Sequence, residues 1–239
     1  MWLVAYYRPV GLFSLKVGLA TSTGAKTLFL PTPFAIRTAI LDAAIRTQGV
    51  AAAPEVFLML KSLSIAALPP EQVVVTNLFT KVLKRQRTDA QRDEAMQSTI
   101  AFREYAYLMG TLGLAFQGGE IALTQLEVLL PHVNYFGKRG SFFQMLTPPE
   151  QIQELPEGFV ILRGVSTDES EKYRQLESSF PLGIIQVMDD WGPDLTFEKV
   201  NSHSDAKVRL GRDRIREVVI LPYRLVRSSR SFSHYERIG

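Results

Sequence analysis

The segment Tyr135-Phe-Gly-Lys-Arg-Gly-Ser-Phe-Phe143 places a Gly-Lys-Arg-Gly turn between two pairs of aromatic residues. Glycine adopts the positive φ angles of tight turns and lets a ligand come close to the backbone. Lys138 and Arg139, inside the turn, carry cationic donors of the kind that hold phosphate groups. Two interpretations therefore stay open for this segment: a turn that holds part of an RNA backbone, or a basic surface turn between a helix and a strand.

The aromatic residues of this segment cannot all face a ligand. Neighbouring side chains of a strand point to opposite faces, so about half of these rings should face the core. Single-stranded RNA is held by basic grooves with aromatic faces on which bases stack. At most one or two of the rings can therefore serve as stacking platforms. The rings concerned are Tyr135, Phe136, Phe142 and Phe143.

Upstream of the turn, apolar periodicity and caps predict an ordered series of elements. They are a strand at 2–8, helices at 34–47 and 55–64, strands at 73–82, 99–109 and 112–117, and a helix at 124–130. Thr32 is the predicted N-cap of the first helix, and Thr124 with Glu127 forms a capping-box pattern for the last. Strand, helix, strand, strand, helix, strand is the order of a ferredoxin-like domain, which RRM modules share. The sequence therefore predicts such a domain over residues 1–146, with an extra helix after the first.

Two long strands joined by a polar, basic excursion predict a β-hairpin at about residues 73–109 that projects from this domain. The excursion has no buried face, and such a segment is either a binding arm or a disordered loop. Its basic cluster consists of Lys81, Lys84, Arg85, Arg87 and Arg92. The cluster makes the hairpin a candidate contact for a polyanion.

The composition changes beyond the turn. Residues 147–157 combine prolines with polar side chains and are predicted to be a linker. Residues 158–239 are predicted to be a smaller, mainly β part, with strands at 159–165, 182–188, 196–200 and 218–226. Asp189, Asp190 and Asp194 fall in a predicted solvated turn, because they lack the spacing of a calcium-binding loop. The whole chain is thus predicted to be an α+β protein.

The composition also excludes some classes of function. Among 239 residues there is no cysteine, which excludes disulfides, thiolate metal sites and cysteine catalysis. A hydrophobic content of 46% with 21% charged residues is typical of a soluble globular protein. No apolar run reaches the roughly 18 residues of a membrane span, so we expect no membrane partner. The absence of cysteine fits a reducing cytoplasm.

The net charge of +3 is distributed unevenly along the chain. Nine basic and three acidic residues lie between Lys207 and Arg237, which is a local balance of +6. Together with the basic cluster of the hairpin, this segment suggests contact with a polyanion. A merely solvated surface is the alternative that composition leaves open.

Sites for metals and nucleotides are not predicted. The three histidines, His132, His203 and His234, lack metal-ligand spacing, so we expect no metal and no cofactor. The segment 18–27 contains glycines, a lysine and a threonine, but not at the offsets of a phosphate-binding Walker A loop.

One catalytic alternative stays open around the turn. A metal-independent ribonuclease needs a base for the ribose 2′-hydroxyl and a cation for the developing phosphorane charge. His132, Tyr135 and Lys138 could supply these groups. Pro131 and Gly137 argue against one continuous helical face, and a helix end packed against the sheet is the other interpretation.

Three places in the sequence resemble the CRISPR-associated "Cas five" family, the handle-capping RAMP subunit of type I Cascade. The first is the strand Trp2–Arg8 followed by Leu28-Phe-Leu-Pro-Thr-Pro-Phe-Ala-Ile-Arg-Thr-Ala-Ile-Leu-Asp-Ala-Ala44. The second is the basic hairpin Lys81–Arg92, at the position of the family's thumb. The third is Phe136-Gly-Lys-Arg-Gly-Ser141, at the entry to the fourth strand. The resemblance covers the first 145 residues, and the remainder matches only in its β-rich character.

The resemblance implies a non-catalytic, RNA-binding subunit of an antiviral ribonucleoprotein complex. Family members grip the 5′ handle of the CRISPR RNA, cap the filament of backbone RAMP subunits and dock the large Cascade subunit, with target DNA nearby. By this resemblance Lys138 and Arg139 would lie near handle phosphates, and the hairpin would bend over a nucleotide. Some family members instead cleave the precursor RNA, but no convincing catalytic set aligns here.

The expected RNA-binding residues come from the hairpin and the turn. They are Lys81, Lys84, Arg85, Arg87, Arg92, Tyr135, Gly137, Lys138, Arg139, Gly140 and Ser141.

Overall fold

The computed structural model describes residues 1–16, 18, 24–84, 97–162, 183–201 and 204–238. Its strands are β1 (Trp2–Pro9), β2 (Gly24–Ala25), β3 (Ser64–Leu68), β4 (Gln72–Lys84), β5 (Gln97–Met109), β6 (Leu112–Gln117), β7 (Phe143–Met145), β8 (Glu150–Ile152), β9 (Val160–Ile161), β10 (Ile184–Trp191), β11 (Arg214–Leu221), β12 (Tyr223–Ser228) and β13 (Phe232–Arg237). Its helices are α1 (Pro33–Gln48), α2 (Ala53–Ser62), α3 (Glu120–Leu129) and α4 (Phe197–Val200), with 3-10 turns at Val50–Ala52 and Leu130–His132.

The central sheet is antiparallel, with the order β7–β1–β6–β3–β9, and β8 pairs with β1 beside β7. The chain passes from β1 through α1 and α2 to β3, and from β6 through α3 to β7. The strands β7, β1, β6 and β3 therefore have the order and connections of a ferredoxin-like sheet. This confirms the predicted fold class, including the extra helix α2.

The prediction misses one strand of this sheet, β3: Ser64 is predicted to end the second helix, and no strand is predicted for the residues that follow it. Ile65, Ala66 and Ala67 are all buried. Ala66 belongs to a small cluster with Trp2 and Val4, whereas Ile65 and Ala67 belong to the main core. A strand that is buried on both faces shows no alternation of polar and apolar residues, so the sequence carries no period-two signal here.

The predicted hairpin is confirmed, since β4 and β5 pair in register from Gln72↔Met109 to Lys84↔Gln97. It lies in a second sheet, of order β12–β13–β4–β5–β2, and not in the ferredoxin-like sheet. Val73 at its base is buried, whereas Phe79 and Phe102, farther along the same face, are 70% and 49% exposed. This face of the distal hairpin is therefore open to solvent, whereas Ala101 on the opposite face is buried.

Strands from the C-terminal part of the chain pair with strands from the N-terminal part. β13 pairs with β4, and β9 pairs with β3. Within the predicted linker 147–157, β8 pairs with β1. The division of the chain at that linker stays a prediction, and the strands on its two sides share sheets.

Three local predictions for the C-terminal part are wrong. The stretch 196–200 contains the short helix α4, not a strand. The stretch 218–226 contains parts of two strands, because Pro222 has no N–H to donate to a ladder and separates β11 from β12. Asp189 and Asp190 lie in β10 and not in a solvated turn, since Asp190 is buried against an arginine partner.

Of the two predicted helix N-caps, one is confirmed and the other is wrong. Thr32 is the N-cap of α1, as predicted, and its hydroxyl accepts the amide of Ala35 at 3.2 Å. The capping box at Thr124 is wrong, because α3 begins at Glu120 with Gly119 as its N-cap. The Thr124 hydroxyl instead donates to the Glu120 carbonyl at 3.0 Å, a bond made inside a helix.

Helix α1 positions the functional region against the sheet. Its residues Ile36, Ile40 and Ala43 lie in the same core as Leu3 and Tyr7 of β1. Among the helices that the structure describes, none is long and apolar enough to cross a membrane.

Candidate nucleic-acid interface

The Gly137–Ser141 turn leads into β7 and is held by hydrogen bonds. The Ser141 amide donates to the Lys138 carbonyl at 3.0 Å, and the Phe136 amide donates to the Ser141 carbonyl at 3.3 Å. Ser141 is buried, and its Oγ accepts the amide of Ser14 at 3.3 Å. The serine hydroxyl thus anchors the turn to the segment that follows β1.

Both glycines of the turn have positive φ angles, 74° at Gly137 and 103° at Gly140. This is the left-handed region that residues with a Cβ rarely adopt. A Cβ on Gly137 would also lie 2.8 Å from Leu15 Cδ1, whereas the space beside Gly140 is open. The turn therefore needs glycine at both positions for its backbone, and at Gly137 for packing as well.

Lys138 and Arg139 lie between these glycines and are exposed. Within the part of the chain that the structure describes, neither side chain makes a hydrogen bond or an ion pair. The turn thus presents two adjacent, uncompensated cations on an anchored backbone, which is the arrangement that favours phosphate.

The aromatic rings divide as the alternation predicts. Phe136 and Phe143 are buried and meet edge to face at 5.1 Å, and Phe136 also meets Tyr7 at 5.3 Å. Phe142 is 52% exposed, and Tyr135, its partner in an isolated β-bridge, is half-buried. Phe142 and Tyr135 are therefore the rings of this segment that a ligand can reach.

The predicted cations of the hairpin are described only in part. Lys81 is exposed on β4, opposite Ile100. Lys84 is the last residue of β4, and its backbone alone is described. The remaining members of the cluster, Arg85, Arg87 and Arg92, lie outside the described residues. A role for this cluster in RNA binding stays a prediction.

The three candidate ribonuclease residues are placed differently from one another. His132 is exposed in a 3-10 turn, and its carbonyl accepts Arg46 Nη2 at 2.8 Å. Tyr135 lines a cavity together with Gly137, but neither His132 nor Lys138 lines it. In the described part of the chain, no hydrogen bond joins the side chains of His132, Tyr135 and Lys138.

No cluster of three or more metal-ligating side chains is found among the residues that the structure describes. His234 Nε2 lies 3.2 Å from Gln72 Oε1 in a pairing between β13 and β4. His203 lies outside the described residues.

The cavity beside the turn has a volume of about 240 Å³, is open to solvent on one side and is lined by three parts of the fold. The turn side contributes Tyr135 and Gly137, and β10 and β11 contribute Asp189 and Arg214. The other lining residues come from the segment after β1 and from α1 with its cap: Leu15, Lys16, Thr32, Phe34, Ala35, Thr38 and Ala39.

Arg214, Asp189 and Phe34 belong to this site, although no motif in the sequence indicates them. Arg214 forms an ion pair with Asp189, and its guanidinium lies 4.5 Å from the centroid of the Phe34 ring. Asp189 and Arg214 are 25 positions apart, and both are far in sequence from Phe34. The signal available in the sequence was the excess of arginine in the C-terminal segment, which does not indicate a partner.

Several arginines of that segment already have partners. Arg209, Arg214 and Arg224 form ion pairs with Asp213, Asp189 and Glu236, respectively. Asp213 and Glu236 are already counted in the local balance of +6, so only the pair with Asp189 lowers it. Arg216 donates to the Gly18 carbonyl at 3.3 Å, and Arg237 donates to the Pro69 carbonyl at 2.5 Å, so these two side chains are also engaged.

Comparison with known proteins gives one relative in sequence and several structures. No protein-family model matches the chain. It is 26% identical over 195 residues to the CRISPR-associated protein Cas5 of Archaeoglobus fulgidus, covering 80% of each protein. A crystal structure of a CRISPR protein from Archaeoglobus fulgidus is 12% identical, with a TM-score of 0.45, over 100% of this chain and 92% of that one. A chain of a CRISPR RNA-guided surveillance complex is 14% identical, with a TM-score of 0.45, over 100% of this chain and 91% of that one. The sequence match confirms the resemblance to the Cas five family.

Proposed function

We propose, on the premise of this similarity to a Cas5 protein, that the chain is an RNA-binding subunit of a CRISPR surveillance complex. The observation that carries the proposal is the pair of exposed cations, Lys138 and Arg139, on the anchored turn. The ferredoxin-like sheet supports it, because RRM modules bind RNA with the same architecture.

The geometry of the turn suits a nucleic-acid backbone more than a base edge. Two adjacent cations that have no carboxylate partner among the described residues attract phosphate oxygens, and such contacts position a strand without reading its sequence. Phe142, three positions after Arg139 in the sequence, offers an exposed ring for a neighbouring base. A single strand passing over the turn would therefore find both kinds of contact.

In its finer form, the proposed role is to grip the 5′ handle of the CRISPR RNA and to cap the filament of backbone subunits without cutting RNA. The exposed face of the distal β4–β5 hairpin, which carries Phe79 and Phe102, supports this role, because it is available to a neighbouring subunit. The large subunit and target DNA complete the proposed set of partners, and the proposed location is the cytoplasm.

The test measures binding of single-stranded CRISPR-repeat RNA by the full-length chain at several salt concentrations. Replacing Lys138 and Arg139 together by alanine should weaken binding. The double variant should also reduce the slope of log affinity against log salt by about 0.7 for each phosphate that is no longer neutralised. The matched control exchanges the two cations, Lys138→Arg with Arg139→Lys, and should bind nearly as the parent does.

Unchanged affinity and an unchanged salt slope in the double alanine variant would overturn the placement of RNA on this turn. For the role in assembly, we expect the chain to co-purify with backbone subunits and RNA from its host. Recovery of the chain without RNA would contradict the proposal.

A further inference from the structure

We propose that the guanidinium of Arg214 is a stacking platform for one unpaired nucleobase in the cavity beside the Gly137–Ser141 turn. This inference rests on the proposed RNA-binding function and adds a base-binding site to the phosphate contacts of the turn.

The cavity has the size for one base. Its volume of about 240 Å³ is below the roughly 300–1,000 Å³ of pockets that hold drug-sized ligands. Gly137, which lines it, belongs to the same turn as Lys138 and Arg139. A strand whose phosphates meet those cations can therefore direct one base into the cavity without leaving the turn.

The guanidinium of Arg214 is held by two neighbours. Its central carbon lies over the Phe34 ring, 4.5 Å from the ring centroid. Its Nε donates to Asp189 Oδ2, and its Nη2 forms an ion pair with the same oxygen, so Asp189 restrains the side chain. The side chain nevertheless remains 41% exposed, so it is accessible from outside this pair. Planar guanidinium groups stack on unstacked RNA bases, and one that is already immobilised loses little entropy on doing so.

The net charge of Arg214 and its partner distinguishes the proposed base-stacking role from the phosphate-binding role of Lys138 and Arg139. Asp189 neutralises Arg214, so Arg214 contributes little net attraction for phosphate. Lys138 and Arg139 have no such partner among the described residues. Arg214 should therefore matter to ligands that carry bases, whereas Lys138 and Arg139 should matter to any strand that carries phosphates.

Tyr135 completes the site as a second aromatic wall. Its ring is half-buried and lines the cavity, and its hydroxyl makes no hydrogen bond to another residue in the described part of the chain. A phenol hydroxyl can donate or accept, so it can bond to the edge of a base that stacks on Arg214.

The experiment uses the full-length chain and two fluorescent probes of about 12 nucleotides, within the site sizes of single-strand binders. One is mixed-sequence single-stranded RNA, and the other is a strand of the same length in which every base is replaced by an abasic site. Arg214→Lys keeps the charge but removes the planar group. It should weaken binding of the RNA about tenfold and leave binding of the abasic strand within about twofold.

Equal losses on both probes, or no loss on either, would overturn the inference. Thermal melting of Arg214→Lys checks its folding, and a second measurement needs no variant. RNA carrying 5-iodouridine, irradiated on the parent protein, should cross-link to Tyr135. If binding depends on Lys138 and Arg139 but cross-links form only at Phe142, Phe79 or Phe102, the base site is wrong while the proposed function stands. If neither probe binds in a way that depends on Lys138 and Arg139, the proposed function fails, and the base site fails with it.

Discussion

The guanidinium of Arg37 on helix α1 and the carboxylate of Asp190 on strand β10 form a buried ion pair, with 2.8 Å between Nε and Oδ1. Arg37 also donates to the carbonyls of Leu60, in the last turn of α2, and of Leu63, the C-cap of that helix. One side chain therefore connects α1, the end of α2 and a strand that lies 153 positions away. This connection holds β10, and with it Asp189, against the helix that forms one wall of the cavity.

Asp190→Ala should strongly destabilise the protein, because it leaves the Arg37 guanidinium buried without a counter-charge. Breaking a buried pair in this way costs about 3–5 kcal/mol. Urea unfolding followed by circular dichroism measures the loss. The matched control is Glu236→Ala, which breaks the exposed pair with Arg224 and should cost less than about 1 kcal/mol. Similar losses for the two variants would contradict the prediction.

Asp213 should make stability depend on pH below pH 4. Its carboxylate accepts Lys199 Nζ at 2.7 Å, and this bond, with further bonds from the Arg209 amide and side chain, lowers the pKa of Asp213 to about 2. Because the folded pKa lies below the unfolded value of about 3.9, the stabilisation is present above that value. It is lost as the pH falls toward 2.

Free energies of unfolding measured between pH 5 and about pH 2 test this expectation, because a carboxylate with a lowered pKa titrates over this range. The parent should lose more stability over this range than Asp213→Asn, which cannot titrate at that position. Parallel pH profiles for the two proteins would show that Asp213 is not responsible.

Alanine at the two turn glycines should have unequal effects. Gly140→Ala places a Cβ at a φ of 103° in open space and should cost about 1–2 kcal/mol for the left-handed conformation alone. Gly137→Ala carries a similar backbone cost and adds a contact of 2.8 Å with Leu15 Cδ1, so it should cost more. Thermal unfolding of both variants measures the difference, and a larger loss at Gly140 would contradict this account of the turn.

We expect no site-specific cleavage of repeat RNA without divalent metal. His132 and Lys138 do not line the cavity that Tyr135 lines, and no hydrogen bond joins the three side chains in the described part of the chain. Gel analysis of labelled repeat RNA, incubated with the full chain and a chelator, measures cleavage. Specific cutting that disappears in His132→Ala, Tyr135→Ala or Lys138→Ala would instead establish the ribonuclease alternative.

The sequence predicts the features of this fold that depend on neighbouring residues. The N-cap Thr32, the two turn glycines and the long strands of the hairpin all follow from local stereochemistry, and the structure contains each of them. The predicted order of elements indicated the ferredoxin-like fold class, although β3 was missed and the hairpin strands lie in the second sheet.

Features that depend on distant residues could not be predicted in this way. From the sequence, Asp189 and Asp190 are predicted to lie in a solvated turn, because nothing nearby in the sequence indicates a partner. In the fold they form ion pairs with Arg214 and Arg37, which are distant in the sequence. The strand β3 is hidden for a related reason, since burial on both faces removes its alternation. The sequence therefore predicts one part of the candidate site, the cations of the turn. The other part, Arg214 with Asp189 and Phe34, depends on the tertiary structure.

The hairpin carries an apolar surface away from the body, and this affects how the chain behaves outside a complex. Phe79 and Phe102 touch at 4.0 Å between centroids, and Leu83 and Ile100 continue the exposed apolar surface. Exposed apolar surface of this kind promotes self-association of an isolated protein. The chain produced alone should therefore be less soluble than the chain produced with its partners. The concentration at which a preparation begins to aggregate then indicates whether a partner covers the hairpin.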